Sequence, residues 1–146
     1  DNCIIAFSFT PKVISEKLEH KVPSLEKRIS AMKILASRGW KIGLRFDPII
    51  PTCNFSTIYE KLIKDIMGSV PIESIHSVSF GMMRFPKRMF KKIKKDNINS
   101  KIFSLPMVNK KGIYSYDEKS ENILSKFITK TLKKYIKEEI IYNCEI

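Results

Sequence analysis

The chain has 146 residues, the size of one ordinary domain, and its 43% of apolar residues excludes wholesale disorder. No apolar run approaches the roughly 18 residues that a membrane-spanning helix needs, so the sequence excludes one. Its three cysteines, Cys3, Cys53 and Cys144, are too scattered for a disulfide scaffold or a compact metal motif. We therefore expect no metal site in this chain, no membrane partner, and a reduced, cytoplasmic protein.

The net charge of +12 is concentrated in one part of the chain. Segment 84–111 contains 10 basic residues and one acidic residue. Such an excess favours an anionic partner, above all nucleic acid. A genome rich in lysine codons is the alternative explanation, but that bias would spread the lysines evenly along the chain.

The first half of the chain alternates apolar strands with amphipathic helices. Strands are predicted at 3–9, 41–47 and 74–82, the first of them buried. Helices are predicted at about 13–20, between the cap Ser24 and the stop Gly39, and at about 56–67. The strand starts are about 35 residues apart, which is the rhythm of βα units on a parallel sheet.

After residue 83 this rhythm breaks. The sequence predicts a basic helix at 86–95, a β-hairpin at 101–116 with a basic tip, a long helix capped by Asp117 or Ser120, and a short strand at 140–142. The predicted fold class is α/β: one half of a partial (βα) barrel with parallel strands over 1–83. The basic helix, hairpin and C-terminal helix over 84–146 belong to the same domain.

The chain begins within an apolar run, and three parallel strands alone would leave an exposed sheet edge. We therefore expect a fragment whose upstream, N-terminal half of the barrel is missing. Processing or trimming of the chain is the alternative.

Polar residues follow the predicted parallel strands, where α/β proteins bind ligands. Ser8, Thr10, Asp47 and Arg84 are therefore expected around one common mouth, where they could hold a polar small molecule. In the alternative interpretation, Ser8 and Thr10 cap a turn and Asp47 pairs with a neighbouring lysine.

The predicted basic helix contains no acidic residue, whereas a solvated helix normally mixes both signs. Met89, Phe90 and Ile93 are expected to point inward. The predicted nucleic-acid contacts are Arg84, Lys87, Arg88, Lys91, Lys92, Lys110, Lys111, Tyr114 and Tyr116. A solvated face or an anionic membrane surface is the alternative for the lysines, and packing on the core is the alternative for the two tyrosines.

Several strings of the sequence resemble spore photoproduct lyase-type radical S-adenosylmethionine (SAM) enzymes over nearly the whole chain. The strings are FSFT at 7–10, PSLEKRI at 23–29, ASRGW at 36–40, GLRFDPIIP at 43–51 and KGIYSY at 111–116. The spacing of Glu19, Glu26 and Arg28 before the Pro-Ile-Ile-Pro strand end is the most specific feature.

The resemblance implies a partial barrel in which an upstream Cys-x₃-Cys-x₂-Cys loop holds a 4Fe-4S cluster, with SAM as its fourth ligand. In that family the deoxyadenosyl radical abstracts hydrogen from a thymine dimer in DNA. Ser8 matches a serine that contacts SAM, and Asp47 replaces a small residue whose backbone lines the SAM pocket. Lys110, Lys111 and Tyr114 match a hairpin that wedges into DNA, whereas Met83 stands where the lyases often have histidine.

The resemblance therefore predicts the C-terminal part of a radical SAM lyase that repairs a DNA lesion. This fragment contains no residue that we assign to catalysis, and without the cluster-binding cysteines it is expected to be inactive alone. The alternative is a non-enzymatic, basic α/β module that binds nucleic acid.

Overall fold

The computed structural model of the chain describes residues 3–96 and 105–144. Its main sheet has four strands in the order β1-β2-β3-β7, and every neighbouring pair is parallel. The strands are β1 (Ile4–Ser8), β2 (Lys41–Ile49), β3 (Ile75–Met82) and β7 (Ile141–Asn143). The predicted α/β class with a parallel sheet is confirmed, and the short final strand extends that sheet.

Amphipathic helices connect the strands and cover one face of the sheet. The long ones are α2 (Leu25–Ser37), α3 (Phe55–Met67) and α5 (Glu118–Leu132), and α1 (Lys12–Leu18) is a single short segment. Ser24 caps α2 by accepting a hydrogen bond from the Lys27 amide, and Asp117 caps α5 by accepting one from the Ser120 amide. Both predicted helix starts are therefore found at these caps.

The core lies between this helical layer and one face of the sheet. Alternate side chains of the two central strands point into it and are almost completely buried: Ile42, Leu44, Phe46, Val78 and Phe80. Residues from all three long helices complete the same cluster, and the rings of Phe55 on α3 and Phe127 on α5 lie 5.3 Å apart. Residues 3–83 and the C-terminal helix thus share one hydrophobic core.

The opposite face of the sheet carries small and polar side chains. We call it the open face. Its residues are Ile4 and Lys41 near the strand starts, followed by Ala6, Ser8, Gly43, Arg45, Asp47, Ser77, Ser79, Gly81 and Tyr142. Most of these residues are exposed or half-exposed, and Tyr142 is 54% exposed. Polar groups near the strand ends are therefore accessible from this side.

The prediction that β1 is buried is wrong. Among the strands of residues 3–96 and 105–144, β1 forms an edge of the sheet and pairs with β2 alone, and Ile4 is 44% exposed. The side chains of β1 alternate between half-buried and exposed because one set faces the helices and the other set lies on the open face.

A second, antiparallel sheet has the order β4-β6-β5. Its strands are β4 (Phe85–Pro86), β5 (Met107–Lys110) and β6 (Ile113–Tyr116), and the basic helix α4 (Lys87–Asp96) follows β4 directly. The predicted hairpin is found as β5 and β6. The first four residues of the predicted strand at 101–108 lie outside the described residues, and Leu105 and Pro106 precede β5.

Pro86 was predicted in the first turn of α4, but it belongs to β4, opposite Ile113. Helix α5 ends at Leu132, and Tyr135 and Ile136 beyond that end also pack against the core. In the described part of the chain, no helix is long and apolar enough to cross a bilayer.

Candidate functional site

The ends of the parallel strands bring Ser8, Asp47 and Arg84 to one side of the molecule. Ser8 lies opposite Arg45, two residues before Asp47, on parallel strands. Strand spacing and rise place the Ser8 and Asp47 backbones about 8 Å apart. An Nη atom of Arg84 lies 3.4 Å from an Asp47 carboxylate oxygen. Asp47 therefore pairs with an arginine, where the alternative interpretation had expected a lysine.

Arg84 reaches Asp47 across Gly81 of β3. A Cβ atom on Gly81 would lie 3.2 Å from an Arg84 Nη atom and 3.2 Å from the Cys144 carbonyl oxygen. The other Nη atom of Arg84 donates a hydrogen bond of 3.3 Å to that carbonyl. The missing side chain at position 81 thus leaves the space in which Arg84 links the ends of β2, β3 and β7.

Arg28 fixes the end of β1 from the side of α2. Its guanidinium donates hydrogen bonds to the Ser8 carbonyl at 3.0 Å, the Ser15 hydroxyl at 3.1 Å and the Glu19 carboxylate at 2.9 Å. The Arg28 and Glu19 side chains are only 14% and 25% exposed. The Glu19–Arg28 spacing of the sequence motif is therefore a contact that holds the Ser8 backbone in place.

The pKa of Glu19 reflects two opposing effects. Burial raises it, but hydrogen bonds from Ser15, Thr10 and Arg28, together with the Arg28 charge, outweigh burial and leave the pKa below its usual value. Glu19 is therefore held as the carboxylate that Arg28 needs. Thr10 is buried and belongs to this network, so it is not one of the accessible groups at the strand ends.

A polar pocket of about 220 Å³ lies beside Arg84, between the ends of β3 and β7, the hairpin and α5. Lys110 forms a close ion pair with Glu121 in its wall. The buried Ser115 hydroxyl also donates to Glu121 and lies 3.0 Å from the Met83 carbonyl oxygen. Lys110 is therefore neutralised by a partner of its own, which weakens its predicted contact with nucleic acid.

A continuous positive surface covers α4. We call it the basic surface, and its residues are Lys87, Arg88, Lys91, Lys92, Lys94 and Lys95. All six are exposed, and none has a salt bridge within the described residues. Met89, which was predicted to point inward, is 52% exposed among them, whereas Phe90 is buried.

The hairpin presents Lys111 at its tip. Lys111 and Gly112 have φ angles of 51° and 91°, and the Asn109 side chain accepts a hydrogen bond of 2.8 Å from the Gly112 amide. This geometry turns the chain between β5 and β6 and leaves Lys111 exposed close to α4.

The two predicted base-stacking tyrosines differ in what they can contact. Tyr114 is half-buried and stacks on Phe90, with ring centroids 3.9 Å apart and planes only 2° apart. Tyr116 is fully buried in the core, and burial raises the pKa of its phenol. The prediction that Tyr116 contacts nucleic acid is therefore wrong, because its side chain has no surface exposed to a ligand.

The three cysteines lie next to three different elements of the fold. Cys3 precedes β1, Cys53 precedes α3 and Cys144 follows β7, and all three are free and exposed. Across residues 3–96 and 105–144, no three His, Cys, Asp or Glu side chains are placed to hold a metal ion. These residues do not fit an iron–sulfur cluster, which needs several converging thiolates.

One residue of the open face, Arg45, was not singled out from the sequence. It lies at the centre of the sheet between Ser8 and Ser79. The sequence does contain a signal for it. In β2 the polar residues Arg45 and Asp47 alternate with buried apolar residues, as expected of side chains that point away from the core.

Comparison with known proteins identifies the family of this fold. The family model described as spore photoproduct lyase matches residues 2–143. The chain belongs to the spore photoproduct lyase family. The resemblance in the sequence motifs is thereby confirmed for nearly the whole chain.

Solved structures of spore photoproduct lyase share the fold. A cysteine-to-alanine mutant superposes with a TM-score of 0.77 at 15% identity, and the match covers 96% of this chain and 43% of that chain. A double mutant with bound AdoMet and dinucleoside spore photoproduct gives a TM-score of 0.74 at 16% identity, with the same coverage. The chain thus spans less than half the length of these lyases. No curated protein matches it.

Proposed function

We propose that this chain is the C-terminal part of a radical SAM lyase that repairs a DNA lesion by hydrogen-atom abstraction. In this proposal the chain contributes part of the SAM pocket and the DNA-binding surface. The observation that carries the proposal is the convergence of Ser8, Asp47 and Arg84 at the open ends of parallel strands in a member of this family.

The residues at the strand ends fit a polar, nucleoside-containing cofactor such as SAM. Ser8 is exposed, and the small residues Ala6, Gly43 and Gly81 leave space between the longer side chains of the open face. A structural neighbour was solved with AdoMet bound, which supports SAM as the cofactor of this fold. When bound to a reduced cluster, SAM supplies a carbon-centred radical.

We assign three tasks to the residues of this chain. The Ser8 hydroxyl donates a hydrogen bond to the cofactor, and Arg28 holds the Ser8 backbone in position. The Asp47–Arg84 ion pair connects the ends of β2 and β3. Because of this pair, Asp47 is not an unpaired anion beside the cofactor. The cluster ligands would come from a segment upstream, because the described residues offer no converging thiolates.

DNA binding is assigned to the basic surface, with Lys111 at the hairpin tip and the uncovered part of the Tyr114 ring beside it. The six cations of α4 have no acidic partner to neutralise them within the described residues. Phosphates are the counter-ions that such a surface binds, with the release of condensed cations from DNA. Family membership favours the lyase over a non-enzymatic binding module, since a neighbour was solved with dinucleoside spore photoproduct.

The salt dependence of DNA binding tests this assignment. The variant changes Lys91, Lys92, Lys94 and Lys95 to Gln, and fluorescence anisotropy follows the binding of a labelled duplex at several salt concentrations. Each lost phosphate contact reduces the slope of log affinity against log salt by about 0.9. Because one side of a helix faces the duplex, two to four contacts should be lost, and the slope should flatten by about 1.8 to 3.6.

A control with the same change in charge separates this surface from the net charge of the protein. It changes four exposed lysines to Gln outside α4, at Lys119, Lys126, Lys130 and Lys137. The control should keep the slope of the unmodified chain. Equal slopes for all three proteins would mean that α4 is only a solvated face.

A further inference from the structure

The open face contains a row of four residues at one level of the sheet. Ser8 of β1 lies opposite Arg45 of β2, Arg45 lies opposite Ser79 of β3, and Ser79 lies opposite Tyr142 of β7. Partners in parallel strands point to the same side, and neighbouring strands are about 4.8 Å apart. Arg45 therefore has a serine on each neighbouring strand at the same level of the face, and Tyr142 lies one strand further along.

The next residues toward the strand starts are small. Ala6 and Gly43 lie opposite each other, and Ser77 is opposite Gly43 on the other side. A Cβ atom on Gly43 would contact Ala6 at 3.4 Å and Ile4 at 3.6 Å, so this part of the face is closely packed but flat. Arg45 is therefore longer than the residues around it and is the basic side chain at the centre of the face.

The charges on this face are unbalanced. Asp47 is the acidic residue nearest along β2, and Arg84 already pairs with it at 3.4 Å. Arg45 is exposed and has neither an ion pair nor a side-chain hydrogen bond within residues 3–96 and 105–144. The Asp47 carboxylate is thus already neutralised by Arg84, and the positive charge of Arg45 at the centre of the open face is left without a counter-ion among the described residues.

We propose that Arg45, with the hydroxyl groups of Ser8 and Ser79, binds an oxyanion of the ligand that occupies the open face. A guanidinium presents two parallel N–H donors that match a carboxylate or a phosphate, and hydroxyl groups on both sides supply further donors. This inference rests on the proposed function, in which Ser8 contacts the cofactor, and it adds a specificity-determining residue to the same site.

The oxyanion has two possible sources within that function. One is the carboxylate of the amino-acid part of a SAM-like cofactor, and the other is a phosphate of the nucleic-acid substrate. Each source can be tested with a pair of available compounds, of which one carries the anionic group and the other lacks it. S-adenosylhomocysteine carries the carboxylate and methylthioadenosine does not, whereas thymidylyl-thymidine carries a phosphate and thymidine does not.

The experiment titrates these four compounds into the ¹⁵N-labelled 146-residue chain and follows the amide signals of Ser8 and Ser79. The compound with the correct anion should bind at least about tenfold more tightly than its partner, because hydrogen bonds between charged groups contribute roughly a factor of ten to a hundred. The variant Arg45→Gln should abolish that difference. Arg38→Gln, at an exposed arginine after α2, should leave it intact.

The outcome separates this inference from the proposed function. If neither anionic compound shifts the Ser8 and Ser79 signals, or if Arg45→Gln binds both members of a pair as the unmodified chain does, the oxyanion site is refuted. Salt-dependent shifts of the α4 amides on addition of duplex DNA would still support DNA binding in that case. If S-adenosylhomocysteine binds selectively but duplex DNA causes no shifts of the α4 amides, the oxyanion site is supported and DNA binding by α4 is contradicted.

Discussion

Replacing Arg28 by Met removes the group that joins α1, α2 and the end of β1. The change deletes hydrogen bonds to the Ser8 carbonyl, the Ser15 hydroxyl and the Glu19 carboxylate at once. It also leaves the Glu19 carboxylate, 25% exposed, without its cation. Breaking a buried ion pair costs roughly 3–5 kcal/mol and breaking an exposed one roughly 0–1 kcal/mol. The intermediate burial of this pair places the expected loss at about 2 kcal/mol.

Urea denaturation followed by far-ultraviolet circular dichroism measures this loss as a change in the free energy of unfolding. For a domain of this size, about 2 kcal/mol should also lower the melting temperature by roughly 4–8 °C. Adding Glu19→Gln to the Arg28→Met variant should recover part of the loss, since the buried site then contains no unpaired charge.

Lys134→Met is the matched control, because Lys134 pairs with Glu60 at 3.1 Å but both side chains are about half exposed, at 53% and 48%. It should change the free energy of unfolding much less than Arg28→Met does. If the two variants lose equal stability, or if the double variant is as unstable as the sum of its single changes, the Arg28–Glu19 contact does not stabilise the fold.

Two further predictions concern neighbouring parts of the site. The folded-state pKa of Glu19 lies below its ordinary value of 4.5, so its contribution to stability is fully present above pH 4.5 and is lost as the pH falls through the folded-state pKa. Denaturation at a series of acidic pH values should show this loss in the unmodified chain, and Arg28→Met should reduce it. Gly81→Ala should destabilise the chain by about 1 kcal/mol, because the added Cβ would lie 3.2 Å from the Cys144 backbone carbonyl and would displace the Arg84 side chain; an unchanged denaturation midpoint would refute this.

The sequence predicted the helices and parallel strands well because their signals are local and periodic. Ser24 and Asp117 are side-chain caps, and the apolar positions of β2 and β3 alternate as expected of strands that face a helical layer. The common location of Ser8 and Asp47 followed from the rule that parallel strands end on one side. These parts of the fold can be predicted without knowing which residues meet over long distances in the sequence.

The predictions that failed concern residues whose structure depends on tertiary contacts. β4 has two residues, Phe85 and Pro86, too few for an alternation to be visible, and it exists because it pairs with β6. Tyr116 packs into the core, which is the alternative the sequence had left open, whereas Tyr114 is only half-buried by stacking on Phe90. Neither the Lys110–Glu121 pair nor the Arg84–Asp47 pair could be predicted, because each joins elements that meet only in the folded chain.

The pairing of β3 with β7 has a consequence for how the protein folds. Val78 lies opposite Ile141, so the outermost strand closes a loop that includes the second sheet, the basic helix and α5. Contacts between residues so far apart form slowly, because the entropy of closing the loop is lost before the contact is gained. Asn143 and Cys144, which follow from β7, also form one wall of the polar pocket. During synthesis β1, β2 and β3 can therefore pair early, whereas the pocket beside Arg84 is assembled only after β7 has been made and has paired with β3.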